Sequence, residues 1–306
     1  MMYASVIVSA YNRAGALKEK SLPCLLAQSD RDFEVILVDD GSTDKTAEVI
    51  KEFSKNLNIR YFFQKNSGVS VARNFGVREA KGDIVIFLDS DDELEPQCVQ
   101  EIKKCFLENK TAEVIIPGFI LKDEQGRKSY MRSVKRPAWM TGLGGGIALR
   151  RSVFADKNIF YDEGLRNFED SDFGFRVVSR CELFFLDLPL YIYNFRSNIY
   201  RDADKTLSSD PSQLINNFKK FKEKNLDFYQ SFGPEAMSYL FLWEGTLIAD
   251  SDARVARNFF WQSFKLDKNL RNFSYFLLSA SGSTIIYRSL HRLLIFLRRY
   301  YKIITN

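Results

Sequence analysis

The stretch Gly-Asp-Ile-Val-Ile-Phe-Leu-Asp-Ser-Asp-Asp, residues 82–92, contains the pattern that decides the fold. Its five continuous apolar residues, 84–88, predict a strand buried on both faces, as in a parallel sheet. Three carboxylates follow within four positions, at Asp89, Asp91 and Asp92. Carboxylates packed together raise one another's pKa, and a divalent cation removes that conflict because Mg2+ and Mn2+ prefer oxygen ligands. The stretch therefore predicts a metal site at the end of a buried strand.

The same acidic run has a second interpretation. It can be a solvated turn that leads into a helix, with Asp92 as the N-cap and Pro96 in the first helical turn. The stretch alone does not decide between a metal site and a capped helix.

Two further predicted strands also end in polar residues. Residues 33–38 are followed by Asp-Asp-Gly-Ser-Thr-Asp at 39–44, and residues 4–8 are followed by Ser-Ala-Tyr-Asn-Arg at 9–13. Open α/β sheets bind ligands beyond the carboxyl ends of their strands, so these side chains are expected at one edge. Carboxylates can accept hydrogen bonds from a base or from ribose, and Tyr11 can stack on a base. The layout is that of a nucleotide site.

Four segments, in this order, resemble the family-2 inverting glycosyltransferases: VIVSAYN (6–12), VDDGSTD (38–44), NSGVSVARNFG (66–76) and GDIVIFLDSDD (82–92). The resemblance is strongest over residues 1–100, continues to about 200 and is absent beyond. It implies an α/β, Rossmann-like GT-A fold, with a mostly parallel central sheet flanked by helices. It also implies a hexosyltransferase that uses a nucleotide sugar, a UDP-sugar being favoured.

The resemblance implies a role for each matching position. Ala10 and Tyr11 border the nucleobase, and Asp40, with Asp39 beside it, accepts from the base. Asp91 is the direct ligand of Mn2+ or Mg2+. Asp89 lies near the ribose and the metal, and it counts as a second ligand. The complete implied nucleotide-binding set is Ala10, Tyr11, Asn12, Asp39, Asp40, Arg73, Asp89 and Ser90.

The run Asn-Phe-Glu-Asp-Ser-Asp-Phe-Gly-Phe-Arg, residues 167–176, resembles the Glu-Asp motif of the same family. By motif position Asp170 is the catalytic base, and Glu169 supports it or contacts the acceptor. Asp172 is expected to line the acceptor or sugar site. An inverting transfer needs a carboxylate that takes the proton of the attacking hydroxyl. A helix N-terminus is expected to stabilise the ionised form. The alternative is an ordinary acidic first turn capped by Asn167.

Sugar and acceptor contacts are expected from the glycine-rich segment 142–146, through Gly144 and Gly145, and from Arg196. The segment can instead be a plain connector into a strand at 147–149. Many relatives supply a histidine metal ligand after the base motif, but the only histidine here is His291, far along the chain. One possibility is that the metal relies on the carboxylates of the DxD motif, Asp89-Ser90-Asp91, together with the diphosphate and water. The other is that Asn194 or a neighbour replaces the histidine. Arg196 can alternatively supply positive charge to the diphosphate.

The 306 residues predict a catalytic domain over 1–205, with a nucleotide-sugar half at about 1–100 and an acceptor half at about 101–205. Residues 206–306 predict a C-terminal helical extension that ends in a basic amphipathic helix, 285–304. After Asp267 the chain has seven basic residues and no acidic one. Three interpretations remain for that helix: binding to a membrane surface, packing on the catalytic domain, or a homodimer contact. No nucleic-acid-binding motif accompanies the charges.

The four cysteines form no zinc pattern, and Cys98 and Cys105 are expected as buried thiols on one side of a helix. With neither a signal peptide nor a membrane span recognised, the expected location is cytoplasmic, peripheral on the inner face of the cell membrane. The expected acceptor is a glycan or polyprenyl-linked glycan. Two rivals remain. A nucleotidyltransferase would need a Gly-rich basic loop after the first strand, and a catalytically silent glycan- or membrane-binding relative would not need Asp91 or Asp170.

Overall fold

The structure is a computed structural model that describes residues 2–131, 145–194, 211–280, 282–284 and 287. The chain divides into two compact units, Met1–Asp202 and Ala203–Asn306. The first is an α/β unit and the second is helical.

The first unit is built on a mixed sheet whose order, within the described residues, is β3-β2-β1-β4-β8-β6-β9-β5, with β7 beside β6. Strands β3, β2, β1 and β4 are parallel to one another, whereas β8 runs antiparallel to β4 and to β6. The strands are β1 (Ala4–Ala10), β2 (Phe33–Asp39), β3 (Ile59–Phe63), β4 (Ile84–Asp89), β5 (Glu93–Leu94), β6 (Val114–Lys122), β7 (Lys128–Met131), β8 (Ala148–Arg150) and β9 (Leu183–Asn194).

Helices flank this sheet: α1 (Ala14–Ala16), a π-helical turn (Leu17–Ser21), α2 (Leu22–Leu26), α3 (Thr46–Phe53), α4 (Val69–Glu79), α5 (Cys98–Glu108), α6 (Ser152–Asp156) and α7 (Glu169–Arg180). Successive strand residues feed two different cores, because side chains alternate across a sheet. In β4, Ile86 lies in one core and Phe87 in the other. This confirms the prediction that residues 84–88 form a strand buried on both faces.

The register places three strand ends at one edge of the sheet. Ser9 pairs with Asp89 across β1 and β4, and Ala10 pairs with Asp39 across β1 and β2. The prediction that strands 4–8, 33–38 and 84–88 deliver their polar residues to a common edge is therefore confirmed.

The capped-helix interpretation of the acidic run is wrong. Helix α5 begins at Cys98 after Gln97, and Asp92 instead precedes the two-residue strand β5, which pairs with β9. Cys98 and Cys105 are buried free thiols of α5, as expected.

The second unit contains α8 (Pro211–Ser231), α9 (Pro234–Ala249), α10 (Ala253–Leu266) and α11 (Leu270–Leu278). Its core includes Phe260, whose ring lies so close to Gly245 that an added Cβ would come within 2.5 Å. The predicted helical character is confirmed for 211–278, whereas the predicted basic helix 285–304 lies outside the described residues apart from Tyr287. Within the described part of the chain, no helix is both long and apolar enough to cross a membrane.

Candidate active site

The loops after β1 and β2 hold each other at the common edge. The Asn12 amide donates to Ser42 Oγ over 2.8 Å, and the Thr43 amide donates to Asn12 Oδ1 over the same distance. Asn12 adopts a positive φ of 52°, which an asparagine tolerates better than most residues. Tyr11 beside it is 48% exposed while Ala10 is buried. The edge therefore presents an open aromatic ring on a fixed turn.

Asp39 and Asp40 are both buried and are already engaged with the protein. Asp40 accepts from the amides of Ser67 and Gly68, each at 2.8 Å, and from Gln64. Asp39 accepts from the Ser42 amide and from Tyr61. Asp40 thus anchors the turn that precedes α4. Its contact with a nucleobase stays a prediction.

Arg73 connects Asp89, at the end of β4, to the Glu-Asp motif at the start of α7. Its guanidinium, on α4, donates to Asp89 Oδ1 at 2.8 Å and to Asp170 Oδ1 at 2.7 Å, and Glu169 Oε1 lies 3.9 Å away. The guanidinium also lies over the ring of Tyr161, 4.9 Å from its centroid. Only 5% of Arg73 is exposed. Burial disfavours its charge, but the surrounding carboxylates outweigh that cost and hold its pKa well above the ordinary value.

Tyr161 was not recognised from sequence. It is buried and stacks on Phe173, with 4.1 Å between the ring centroids. The Tyr161 backbone N–H donates to the Asn74 side chain, and its carbonyl oxygen accepts from the same side chain. Asn74 directly follows Arg73, so the motif that supplies the arginine also supplies the anchor of the ring beneath it. The partners are 87 residues apart, and no local pattern links them.

The two carboxyls at the start of α7 have raised pKa values. Burial, followed by the charge of Asp170, raises the pKa of Glu169 to about 7. Burial also raises the pKa of Asp170, against the opposing effect of Arg73, although 38% of the Asp170 side chain is accessible. The expected preference of the helix N-terminus for the ionised form is therefore outweighed by burial.

Asn167 is not the N-cap residue of α7. Phe168 occupies the N-cap position with a left-handed φ of 65°, and its side chain supplies no capping hydrogen bond. A non-glycine residue in this region is strained, and such strain concentrates at functional sites.

Asp92 and Tyr191 secure the loop that carries Asp89 and Asp91. The Tyr191 hydroxyl donates to Asp92 Oδ2. The backbone N–H of Asn194 donates to the other Asp92 oxygen, Oδ1. The Asn194 side chain donates to the Asp91 carbonyl oxygen. Asn194, the expected replacement for a histidine ligand, thus lies beside the DxD motif.

The donor set suits a hard divalent cation. Asp91 is half-buried, and no described residue donates a hydrogen bond to its carboxylate. Arg73 engages one oxygen of Asp89. Burial, with the charges of Asp89 and Asp91, raises the pKa of Asp92 to about 7, so negative charge is in excess here. No group of three or more acidic, cysteine or histidine side chains forms a metal-binding cluster among the described residues.

The remaining candidates divide into three cases. Gly145 is half-buried, and a Cβ there would collide with the Tyr191 hydroxyl and lie 3.0 Å from Asp89 Oδ2. Ser90 and Asp172 are buried, and Asp172 accepts from Arg176 through two nitrogens, which favours a structural role. Gly144 and Arg196 lie outside the described residues.

Comparisons with known proteins show the family of this chain. The family model described as glycosyl transferase family 2 matches residues 5–166, more than half of the chain. The uncharacterized glycosyltransferase EpsJ of Bacillus subtilis is 28% identical over 253 residues, covering 75% of this chain and 70% of its own. An uncharacterized glycosyltransferase of Rickettsia felis is 43% identical over 88 residues, which is only 14% of that longer protein.

Two solved structures share the fold. Staphylococcus aureus TarS residues 1–349, in complex with UDP, is 19% identical with a TM-score of 0.57 and covers 92% of each chain. The mannosyltransferase PcManGT of Pyrobaculum calidifontis, in complex with GDP-Man and Mn2+, is 18% identical with a TM-score of 0.55. It covers 94% of this chain and 86% of its own. On the family match and this GT-A architecture, the chain belongs to glycosyl transferase family 2 and is a glycosyltransferase.

Proposed function

We propose that the chain transfers a hexose from a nucleotide sugar, a UDP-sugar, to a glycan or polyprenyl-linked glycan acceptor with inversion at the anomeric carbon. The observation that carries this is the Arg73 bridge, which brings the donor-side carboxylate Asp89 and the carboxylate Asp170 to one guanidinium. Donor recognition and a general base thus meet at a single place. The TarS complexes with UDP and UDP-GlcNAc support UDP, and the PcManGT complex makes GDP the alternative.

Asp170 is the general base in this proposal. Its carboxylate takes the proton of the acceptor hydroxyl while that oxygen attacks the anomeric carbon and the bond to the diphosphate breaks. The raised pKa makes Asp170 a stronger proton acceptor than an exposed aspartate, whereas the bond from Arg73 keeps a population ionised. Glu169, the adjacent residue at the start of α7, supports Asp170 in this proposal.

Asp91, with Asp89, would hold Mn2+ or Mg2+ in this site. A bound cation supplies positive charge to the departing diphosphate. Two protein carboxylates leave room for phosphate and water oxygens, which is the usual arrangement for Mg2+. The bonds from Tyr191 to Asp92 and from Asn194 to the Asp91 carbonyl oxygen hold the loop that carries Asp89 and Asp91.

We place the reaction at the cytoplasmic face of a membrane. The support is the sequence after Asp267, which has basic residues but no acidic ones, together with the proposed polyprenyl-linked acceptor.

The nucleotide half is assigned to about 1–100, the acceptor half to about 101–205, and the helical region to 206–306. A homodimer remains an alternative use of the C-terminal segment.

The test is an Asp170→Asn variant assayed with UDP-sugars and Mn2+. We expect turnover to fall by about 10³-fold because the proton acceptor is lost, while UDP with Mn2+ still raises the thermal stability of the variant. Asp156→Asn, at an exposed carboxylate of α6, is the matched control and keeps its turnover.

Three results would count against the proposal. Stabilisation by GDP alone would replace the UDP assignment, and full turnover in Asp170→Asn would remove the base assignment. Intact nucleotide binding with no turnover of any nucleotide sugar by the unaltered protein would favour the silent relative.

A further inference from the structure

Helices α10 and α11 carry an exposed apolar surface, here called the aromatic face. Its members lie at helical spacings on the two helices and are Trp261, Phe264, Leu270, Phe273, Phe276 and Leu277. The rings form a continuous row. The centroid of the Trp261 ring lies 5.0 Å from that of Phe276 and 5.8 Å from that of Phe264. The centroids of Phe264 and Phe273 are 5.2 Å apart. Leu270 is 83% exposed and Leu277 is 52% exposed.

The aromatic face lies beside the core of the unit: Phe264 and Phe276 are half-buried, and Phe276 packs partly against that core, whereas the other four members are exposed. The core of the unit takes Phe260 from α10 and Tyr275 from α11, and both are buried. The neighbouring positions Trp261 and Phe273 are exposed instead. Large contiguous apolar surfaces on a folded unit mark sites of contact with something apolar.

Positive charge accompanies this face. Residues 253–278 contain five basic residues, Arg254, Arg257, Lys265, Lys268 and Arg271, against one acidic residue, Asp267. The Arg257 guanidinium lies over the Phe276 ring, 5.2 Å from its centroid, so it borders the face directly. Lys265 and Lys268 are exposed around the connection between the helices. An apolar centre with a basic border fits an anionic surface that has an apolar interior.

We propose that the aromatic face docks on an anionic lipid bilayer, with Trp261, Leu270 and Leu277 entering the interface and the basic residues meeting the headgroups. Tryptophan favours this boundary because its ring is apolar and its N–H stays hydrated. Basic side chains add affinity for anionic lipid. A second copy of the chain is a poorer occupant, because a symmetric contact would place each positive border against its own counterpart.

The inference rests on the proposed membrane location, which it refines by assigning the contact to α10 and α11. Its test does not use catalysis. A failure would remove the docking face and leave the transferase proposal unchanged.

The experiment measures binding of the full-length chain to phosphatidylcholine vesicles with and without phosphatidylglycerol, some carrying brominated acyl chains that quench tryptophan. We expect binding that requires phosphatidylglycerol, falls with added salt, and is accompanied by quenching that disappears in Trp261→Phe. Loss of the signal in that variant assigns the quenching to this one of the three tryptophans.

The paired change Leu270→Gln with Leu277→Gln should lower the partition coefficient on the order of tenfold, because two apolar anchors are lost without a change of charge. Leu107→Gln, at a leucine of α5 with 59% exposure, is the matched control and should bind like the unaltered chain. Circular dichroism establishes that each variant is folded.

Several outcomes would overturn the proposal. One is binding in which Trp261 is not quenched, because another surface would then carry it. Another is equal binding to vesicles without anionic lipid. A third is self-association that depends on Leu270 and Leu277 without any lipid binding.

Discussion

Arg73 is the residue from which the sharpest expectation follows, because in the described part of the chain it alone forms ion pairs with both Asp89 and the carboxyls of the Glu-Asp motif. Lysine in its place keeps one charge but cannot bond Asp89 and Asp170 together in the same fork geometry. We expect Arg73→Lys to lower the free energy of unfolding by about 3 kcal/mol and kcat by about 10²-fold, since buried carboxylates lose a partner and Asp170 loses its position. Chemical denaturation and steady-state kinetics measure the two effects.

Arg78→Lys provides the matched control for that change. Arg78 lies on the same helix, is exposed, and approaches Glu163 only to 3.9 Å. Its replacement should leave both quantities nearly unchanged, because exposed ion pairs contribute little. An Arg73→Lys variant as active and as stable as this control would show that the bridge has no role.

Tyr191 gives a second prediction at the scale of single residues, which concerns the affinity for Mn2+. Removing its hydroxyl in Tyr191→Phe leaves the ring in place but takes a donor from buried Asp92, whose other oxygen holds Asn194. The carboxylates of the DxD motif then lose part of their support. We expect affinity for Mn2+ in the presence of UDP to fall on the order of tenfold, as for other partners that orient metal ligands.

Calorimetric titration of Mn2+ measures that affinity without requiring turnover. Tyr193→Phe, two residues along the same strand and exposed, is the control that should not change it. Equal Mn2+ affinity in both variants would mean that the hydroxyl does not orient the loop.

At this scale the sequence predicted the motif residues but not their partners. Asp89 and Asp170 were named from their motifs, and the structure joins both to Arg73. The partnership of Asp92 with Tyr191 was missed, because it spans 99 residues and depends on how β9 returns to the sheet. The raised pKa values of Glu169 and Asp170 were also missed, since burial is a property of the packed unit.

Among the elements, the turn before β8 depends on a glycine. Gly146 adopts a φ of 86°, and a Cβ there would lie 2.5 Å from the ring of Tyr191. Gly146→Ala therefore meets both backbone strain and a collision with a fully packed ring. We expect it to lower the free energy of unfolding by about 2 to 3 kcal/mol, measured by chemical denaturation.

Gly15→Ala is the control for Gly146→Ala. Gly15 lies in the short helix α1, where nothing is within 4 Å of an added Cβ and φ is not positive. Alanine there should be neutral or slightly stabilising. If the two alanine variants unfolded alike, Tyr191 would not confine the turn.

The elements differ in how far sequence could predict them. Strands β1, β2 and β4 followed from continuous apolar runs, because burial on both faces leaves a signal that does not depend on the partner strand. The two-residue strand β5 left no such signal, and its pairing with β9 excluded Asp92 as a helix cap. The N-cap of α7 at Phe168 was missed because a left-handed phenylalanine has no sequence signature.

At the scale of the whole molecule, charge and burial together set how stability depends on pH. Glu169 is 14% exposed, and burial with the charge of Asp170 raises its pKa to about 7 from 4.5. Between these values the native state binds more protons than the unfolded state. The contribution of Glu169 to the free energy of unfolding therefore falls as pH rises through this window, and its penalty is complete above the native pKa.

Glu169→Gln removes this titration, so the variant should gain stability over the unaltered chain only on the alkaline side. The gain should approach an order of 3 kcal/mol at about pH 8 and vanish at about pH 4, because 2.5 pKa units separate the two states. Scanning calorimetry across pH, without nucleotide or metal, measures the difference. Glu48→Gln, at an exposed carboxylate of α3, controls for removing a charge as such. A Glu169→Gln variant whose stability parallels that of the unaltered chain at every pH would show that Glu169 is not held in the protonated form by its surroundings.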